Sequence, residues 1–114
     1  MTDDELITAA VRDYFEGWFD GDVTRMDRAL YPDLVKRSPG EADMHIFTKQ
    51  EMVGLTAAGE GKAEAADRRL EITIADVWAG IASVVVDSAP YREYLHLVRT
   101  PGGWQIANAL YMPL

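Results

Sequence analysis

Tyr14, His45, Glu93 and Asn108 are the residues of this chain whose types and surroundings suit chemistry. The stretch Tyr91–Tyr111, "YREYLHLVRTPGGWQIANALY", sets Glu93, His96 and Asn108 among apolar residues, on two predicted strands where a packed core favours Val or Leu. Such polar groups either line a pocket or form the wet face of a sheet. A carboxylate held beside a bound molecule in an enclosed space suits general acid or base work. His45, between Met44 and Ile46, brings an imidazole, the side chain fitted to shuttling protons near neutrality. A lone strand histidine also serves as a structural residue. Asn108 offers both a donor and an acceptor, for a ligand or for clamping backbone.

Strand alternation decides which of these groups can meet, because neighbouring side chains point to opposite faces. Glu93 travels with Leu95 and Leu97, whereas His96 travels with Arg92 and Tyr94. The first set is the more apolar, which predicts Glu93 inward and His96 outward. On the next strand Trp104, Ile106, Asn108 and Leu110 oppose Gln105, Ala107, Ala109 and Tyr111. The greater apolar bulk of the first set predicts Asn108 inward and Tyr111 outward. Asp76 falls on the Ile74 side of its strand, Asp87 lies near a turn, and Asp33 reads as a turn residue after Tyr31-Pro32. Two histidines far apart, without cysteine and without HxH or HExxH spacing, predict no metal site. No Walker-type phosphate loop and no GxSxG elbow is present, so neither a nucleotide cofactor nor a serine nucleophile is expected.

The elements that must position these residues are legible in order. Thr2 and Glu5 form a capping box, and Leu6, Ile7, Ala10, Val11, Tyr14, Phe15, Trp18 and Phe19 follow helical spacing to a stop at Asp20-Gly21. Asp22 caps a shorter helix burying Val23, Met26, Ala29 and Leu30, which Pro32 ends. Short extended pieces at Leu34–Arg37 and Met44–Phe47 flank the turn Ser38–Glu41. A second capping box, Thr48 with Glu51, opens a third helix that buries Met52, Val53 and Leu55. Residues 59–67, "GEGKAEAAD", read as a mobile loop. The strand from Arg69 to Trp78 alternates Leu70, Ile72 and Ile74 with polar residues, and "AGIASVVVDS" suits a strand buried on both faces. The hairpin Tyr91–Tyr111, turning at Pro101-Gly102-Gly103, completes a meander. Helices segregated from a run of strands mean an α+β domain, its sheet curling around the helices that cover it.

Composition bounds the function classes. A chain of 114 residues makes one domain, residues 1–114, near the usual size of about 100–150 residues. Eleven Lys plus Arg against nineteen Asp plus Glu give a formal charge of −8, which repels phosphate backbones and anionic lipid. Nucleic-acid and membrane partners are therefore not expected. The acidic start "MTDDELITAA", the lack of a long apolar run and the absence of cysteine predict a soluble cytoplasmic protein.

The segment "YFEGWFDGDVTRMDRALYPDLVK" resembles the helix–helix–"hPda" opening of the nuclear-transport-factor-2-like superfamily, which has a cystatin-like α+β fold. The closing "EYLHLVRTPGGWQIANALY" is similar to the "DYLTLLKxDGKWKIVNKVY" ending of its putative lumazine-binding subgroup. The likeness covers nearly the whole chain in element order. It implies a curved antiparallel sheet wrapped around three helices, a cone with an internal pocket, and a homodimer formed through the convex sheet face. Glu93 matches the acidic residue of "DYLTL", and Tyr14 lies where isomerase relatives carry an oxyanion-donating tyrosine. For Tyr14 a core role, its hydroxyl satisfied by backbone, is the alternative. Tyr14, Trp18, Phe47, Met52, Trp104 and Asn108 are the expected ligand contacts, and Glu93, His45 and Tyr14 the catalytic candidates. Three functions remain open at this point: a small-molecule-binding protein, a cofactor-independent isomerase, cyclase or dehydratase, and an assembly module whose cone is filled by its own side chains.

Overall fold

In the computed structural model, all 114 residues are described. Helix α1 spans Asp3–Asp20, its start closed by the reciprocal Thr2–Glu5 hydrogen bonds of 3.2 Å. Gly21 ends it in the left-handed conformation, φ 66°, where a side chain would be strained. Asp22 then accepts the Arg25 amide at 3.1 Å and opens α2, Val23–Ala29. Asp13 on α1 receives Nε of both Arg25 and Arg28 at 2.9 Å, and Glu16 receives Arg25 Nη2 at 2.8 Å. This ionic cluster pins the short helix against the long one. Helix α3, Lys49–Ala57, carries the second predicted capping box.

Six strands form one open sheet in the order β2-β1-β6-β5-β4-β3. They are β1 Leu30–Pro39, β2 Met44–Thr48, β3 Leu70–Trp78, β4 Ile81–Ser88, β5 Tyr91–Thr100 and β6 Gly103–Pro113. All pairings are antiparallel except β1 with β6, which is parallel and joins the N-terminal strand pair to the meander. The sheet is therefore mixed rather than wholly antiparallel. Strand β1 begins at Leu30, directly after α2, and runs through Pro32, which ends the helix without delaying the strand.

The three helices cover one face of the sheet. Ile7, Val11, Phe15 and Phe19 of α1 are buried with Leu34, Val84, Val86, Leu95, Leu97 and Ile106 of the sheet in one core. Strand β4 buries Ala82, Val84, Val86 and Ser88 but leaves its other side half-exposed, so it is covered on one face and not on two. Residues 59–67 are more ordered in shape than a loose loop. Glu60–Glu64 form a 3-10 helix, and a Cβ on buried Gly61 would lie 2.1 Å from the Trp18 carbonyl oxygen. Only glycine permits that approach to α1.

Two strands break their alternation. In β6 the partners of His96 and Leu97 are Asn108 and Ile106, so Ala107 is an extra, unpaired residue. In β3 the same happens at Ala75, between Ile74 and Asp76. Each bulge bends its strand and switches which side chains point inward.

Candidate functional site

The covered face of the sheet and the helices form a partly open cavity of about 70 Å3. Phe15, Trp18 and Phe19 of α1, Phe47 of β2, and Met52 and Leu55 of α3 form its apolar wall. Its polar wall is concentrated on the sheet side. Tyr14 and Glu93, opposite in sequence, meet there: the Tyr14 hydroxyl donates to Glu93 Oε2 at 3.1 Å. Lys36 Nζ donates to the Tyr14 hydroxyl and lies 3.7 Å from Glu93 Oε1. The Lys36 and Glu93 side chains keep only 11% and 4% of their surface, so the pair is held out of water.

Local structure explains each placement. Tyr14 falls on the buried stripe of α1, one turn after Ala10 and Val11. Glu93 shares the inner face of β5 with buried Leu95 and Leu97, while Tyr94 and His96 face out. Lys36 shares the inner face of β1 with Leu34 and Ser38. Its ammonium also sits 4.5 Å from the centre of the Tyr111 ring, a cation–π contact. The Tyr111 ring packs edge-on against Tyr91 at 5.3 Å. Tyr91 in turn donates to Glu64 Oε1 at 3.4 Å.

Electrostatics follow from this enclosure. Burial drives the Tyr14 phenol well above its ordinary value of 10.0, and the neighbouring Glu93 charge adds to the rise. The phenol is thus neutral across the physiological range and available as a donor. Burial also raises Tyr91 and Tyr111, with Glu64 contributing to the first; Ser38 partly opposes the rise at Tyr111. The Lys36–Glu93 pair is costly to desolvate, and it is kept by the hydrogen bonds around it.

Of the residues expected at the site, Tyr14, Trp18, Phe47, Met52 and Glu93 line the cavity. Three do not. Asn108 is exposed on the opposite face of the sheet, because the Ala107 bulge turns the second half of β6 over. It joins Asp76, Ser83 and His96 in a wider surface groove of about 410 Å3. Asp76 is there for the same reason, displaced by the Ala75 bulge. His45 pairs with Ser38 in register and so lies on the cavity's side of the sheet, but it is exposed at the rim beyond the helices. Trp104 is buried in the core beneath Arg99 and does not reach the cavity.

Sequence reasoning missed Lys36, Glu64, Ser88 and Tyr91, and it placed Tyr111 on the wrong face. For Lys36 a signal existed. Leu34, Lys36 and Ser38 alternate on the predicted strand, so an inward Leu34 carries Lys36 inward with it. The bulge left a fainter trace, two successive small or polar residues, Ala107-Asn108, between the inward Ile106 and Ala109.

Residues 2–112 match the family model described as "Putative lumazine-binding". The chain belongs to this family. Among solved structures it is similar to an NTF2-like protein of unknown function from Silicibacter pomeroyi, with 19% identity, full coverage of both chains and a TM-score of 0.76. A ketosteroid isomerase-like protein from Erwinia carotovora atroseptica aligns at 21% identity over 96% of this chain and 95% of the other, TM-score 0.70. An NTF2-like protein with a cystatin-like fold from Novosphingobium aromaticivorans aligns at 19% identity over 98% and 82%, also at TM-score 0.70. At these identities the likeness establishes the fold alone, NTF2-like and cystatin-like. No curated protein matches the chain. No helix is long and apolar enough to cross a membrane.

Proposed function

We propose that this family member binds a compact, mostly apolar small molecule in the cavity between α1, α3 and the sheet. The observation that carries the reading is the position of the Tyr14–Glu93–Lys36 cluster. It is buried, yet it forms one wall of a cavity rather than being packed over by apolar side chains. A few polar groups converging in an apolar chamber is the common form of a ligand site. Size narrows the ligand. At about 70 Å3 the cavity is well below the roughly 300–1,000 Å3 of sites for drug-sized molecules. A bicyclic compound such as a lumazine is larger than this cavity and would enter only if its wall moved.

Proton-transfer chemistry has one supporting observation, the direct Tyr14–Glu93 contact of 3.1 Å. An isomerase-like site also needs a donor free to steady a developing oxyanion. Of the donors expected from the sequence, the Tyr14 hydroxyl already serves Glu93, and Asn108 and His45 lie outside the cavity, which favours binding over that chemistry. The dimer belongs to the same reading. The uncovered sheet face exposes Tyr94 at 49%, Leu110 at 43% and Met112 at 54%, apolar surface suited to a second copy.

Crystals soaked in isobutanol, or pressurised with xenon, test the binding claim. Density is expected among Phe15, Phe47 and Met52, with the alcohol hydroxyl directed to the Tyr14–Glu93 wall. A cavity that admits neither probe contradicts it.

A further inference from the structure

The cavity holds two carboxylates, and their surroundings differ. Glu93 is engaged at both oxygens: Tyr14 donates to Oε2 at 3.1 Å, and Lys36 lies 3.7 Å from Oε1, within ion-pair range. Lys36 is equally engaged, donating to the Tyr14 hydroxyl and facing the Tyr111 ring. Glu64 is not. Its Oε1 accepts a long hydrogen bond of 3.4 Å from Tyr91, and its Oε2 is buried with no partner. Glu64 is held there by the 3-10 helix Glu60–Glu64, whose Gly61 is wedged against α1.

A carboxylate can only accept hydrogen bonds, and no protein donor reaches Oε2. The acidic and basic side chains lining the cavity are Glu64, Glu93 and Lys36, two carboxyl groups against one amine. A cationic group would satisfy the orphan acceptor and balance the charge together. An anion would add a like charge in a poorly hydrated space, and a neutral hydroxyl would make the weaker of the available bonds. Phe47, Met52 and Leu55 supply an apolar wall for a short hydrocarbon portion.

We propose that the cavity selects small primary amines, or compact cations with equivalent N–H donors, and that the Glu64 carboxylate, turning toward the cavity, is the acceptor that recognises them. This rests on the ligand-binding reading above and names its ligand class. Lys36, Tyr14 and Glu93 then form a fixed polar wall, while Glu64 reads the ligand.

Three probes sharing one carbon skeleton test it: isobutylammonium, isobutanol and isobutyrate, titrated at 0.15 M salt and followed by NMR. The ammonium form is expected to bind about tenfold more tightly than the alcohol, the margin of a charged over a neutral hydrogen bond. Isobutyrate should bind more weakly than both. Intermolecular NOEs should connect the amine's methyl groups to Met52, which separates the cavity from the acidic surface. Glu64→Gln should bring amine and alcohol to within about twofold, a prediction that uses the same bond difference. If the alcohol or isobutyrate equals the amine, or the amine gives no NOE to Met52 while the alcohol does, the amine inference fails and the binding site stands. An unchanged preference in a folded Glu64→Gln protein overturns it too. If none of the three reaches Met52, the ligand-binding reading itself falls, and the inference with it. Should Glu64→Gln not fold, the wild-type ranking and NOEs still decide.

Discussion

The two faces of one sheet are built from the same strands and could hardly differ more. The covered face encloses three tyrosines, two glutamates and a lysine beside an apolar wall, with Glu93 only 3% exposed. The uncovered face carries Tyr94, Leu110 and Met112 alongside His96 and Asn108, and Trp78 is 76% exposed at the end of β3. Beside the apolar core a few polar groups lie inside, and a few large apolar groups lie outside, against simple partition. Each inversion has a cost: a buried charge needs its ion-pair and hydrogen-bond partners, and a large exposed apolar patch is the kind of surface that meets other molecules.

The largest difference between the faces should appear in stability. Lys36→Met leaves Glu93 buried without its cation, a loss of about 3–5 kcal/mol for one partner of a buried pair. Leu110→Ser on the other face should change the monomer's stability by no more than about 0.5 kcal/mol. Urea denaturation of both variants, at concentrations low enough to keep the chain monomeric, makes the comparison. Equal losses would mean that the Lys36–Glu93 pair is not buried as described.

A smaller effect should separate the faces at high pH. Tyr14 has a folded pKa raised above its unfolded value, so its contribution is fully present below pH 10.0 and is lost as pH climbs toward the folded value. The protein should therefore lose stability on the alkaline side above about pH 10, because the unfolded chain gives up the phenolic proton first. Tyr14→Phe should flatten that alkaline decline, although it also removes a hydrogen bond at every pH. Thermal melts between pH 8 and 11 measure the slopes. An unchanged slope in the variant would mean that the Tyr14 phenol is not shielded from water.

How much of this was legible in the sequence depended on whether the local pattern was regular. Helix α1 and both capping boxes follow from residue type and spacing, since Thr2–Glu5 and Thr48–Glu51 bond within a single turn. The parity of β5 could be read because no bulge interrupts it, so Leu95 and Leu97 carry Glu93 inward. Strand β6 defeated the same rule. One extra residue at Ala107 exchanged Asn108 for Tyr111, and alternation by itself has no term for a bulge. The ordered 3-10 helix was also hidden, because the glycines that suggest a loose loop include Gly61, which is required for contact with Trp18. Lys36 was legible in principle. Finding its partner required the pairing of β1 with β6, a contact between strands far apart in the chain.

The tryptophans offer the most direct test of two faces with two partners. Trp18 lines the cavity, Trp78 stands on the uncovered face and Trp104 is buried away from both. In protein labelled with 5-fluorotryptophan, fluorine NMR follows the three separately. Addition of isobutanol should shift the Trp18 resonance and leave Trp78 in place, and dilution from millimolar to micromolar protein should shift Trp78 and leave Trp18 in place. If the alcohol moves Trp78 but not Trp18, the ligand site is not the cavity, and the division of labour between the two faces is wrong.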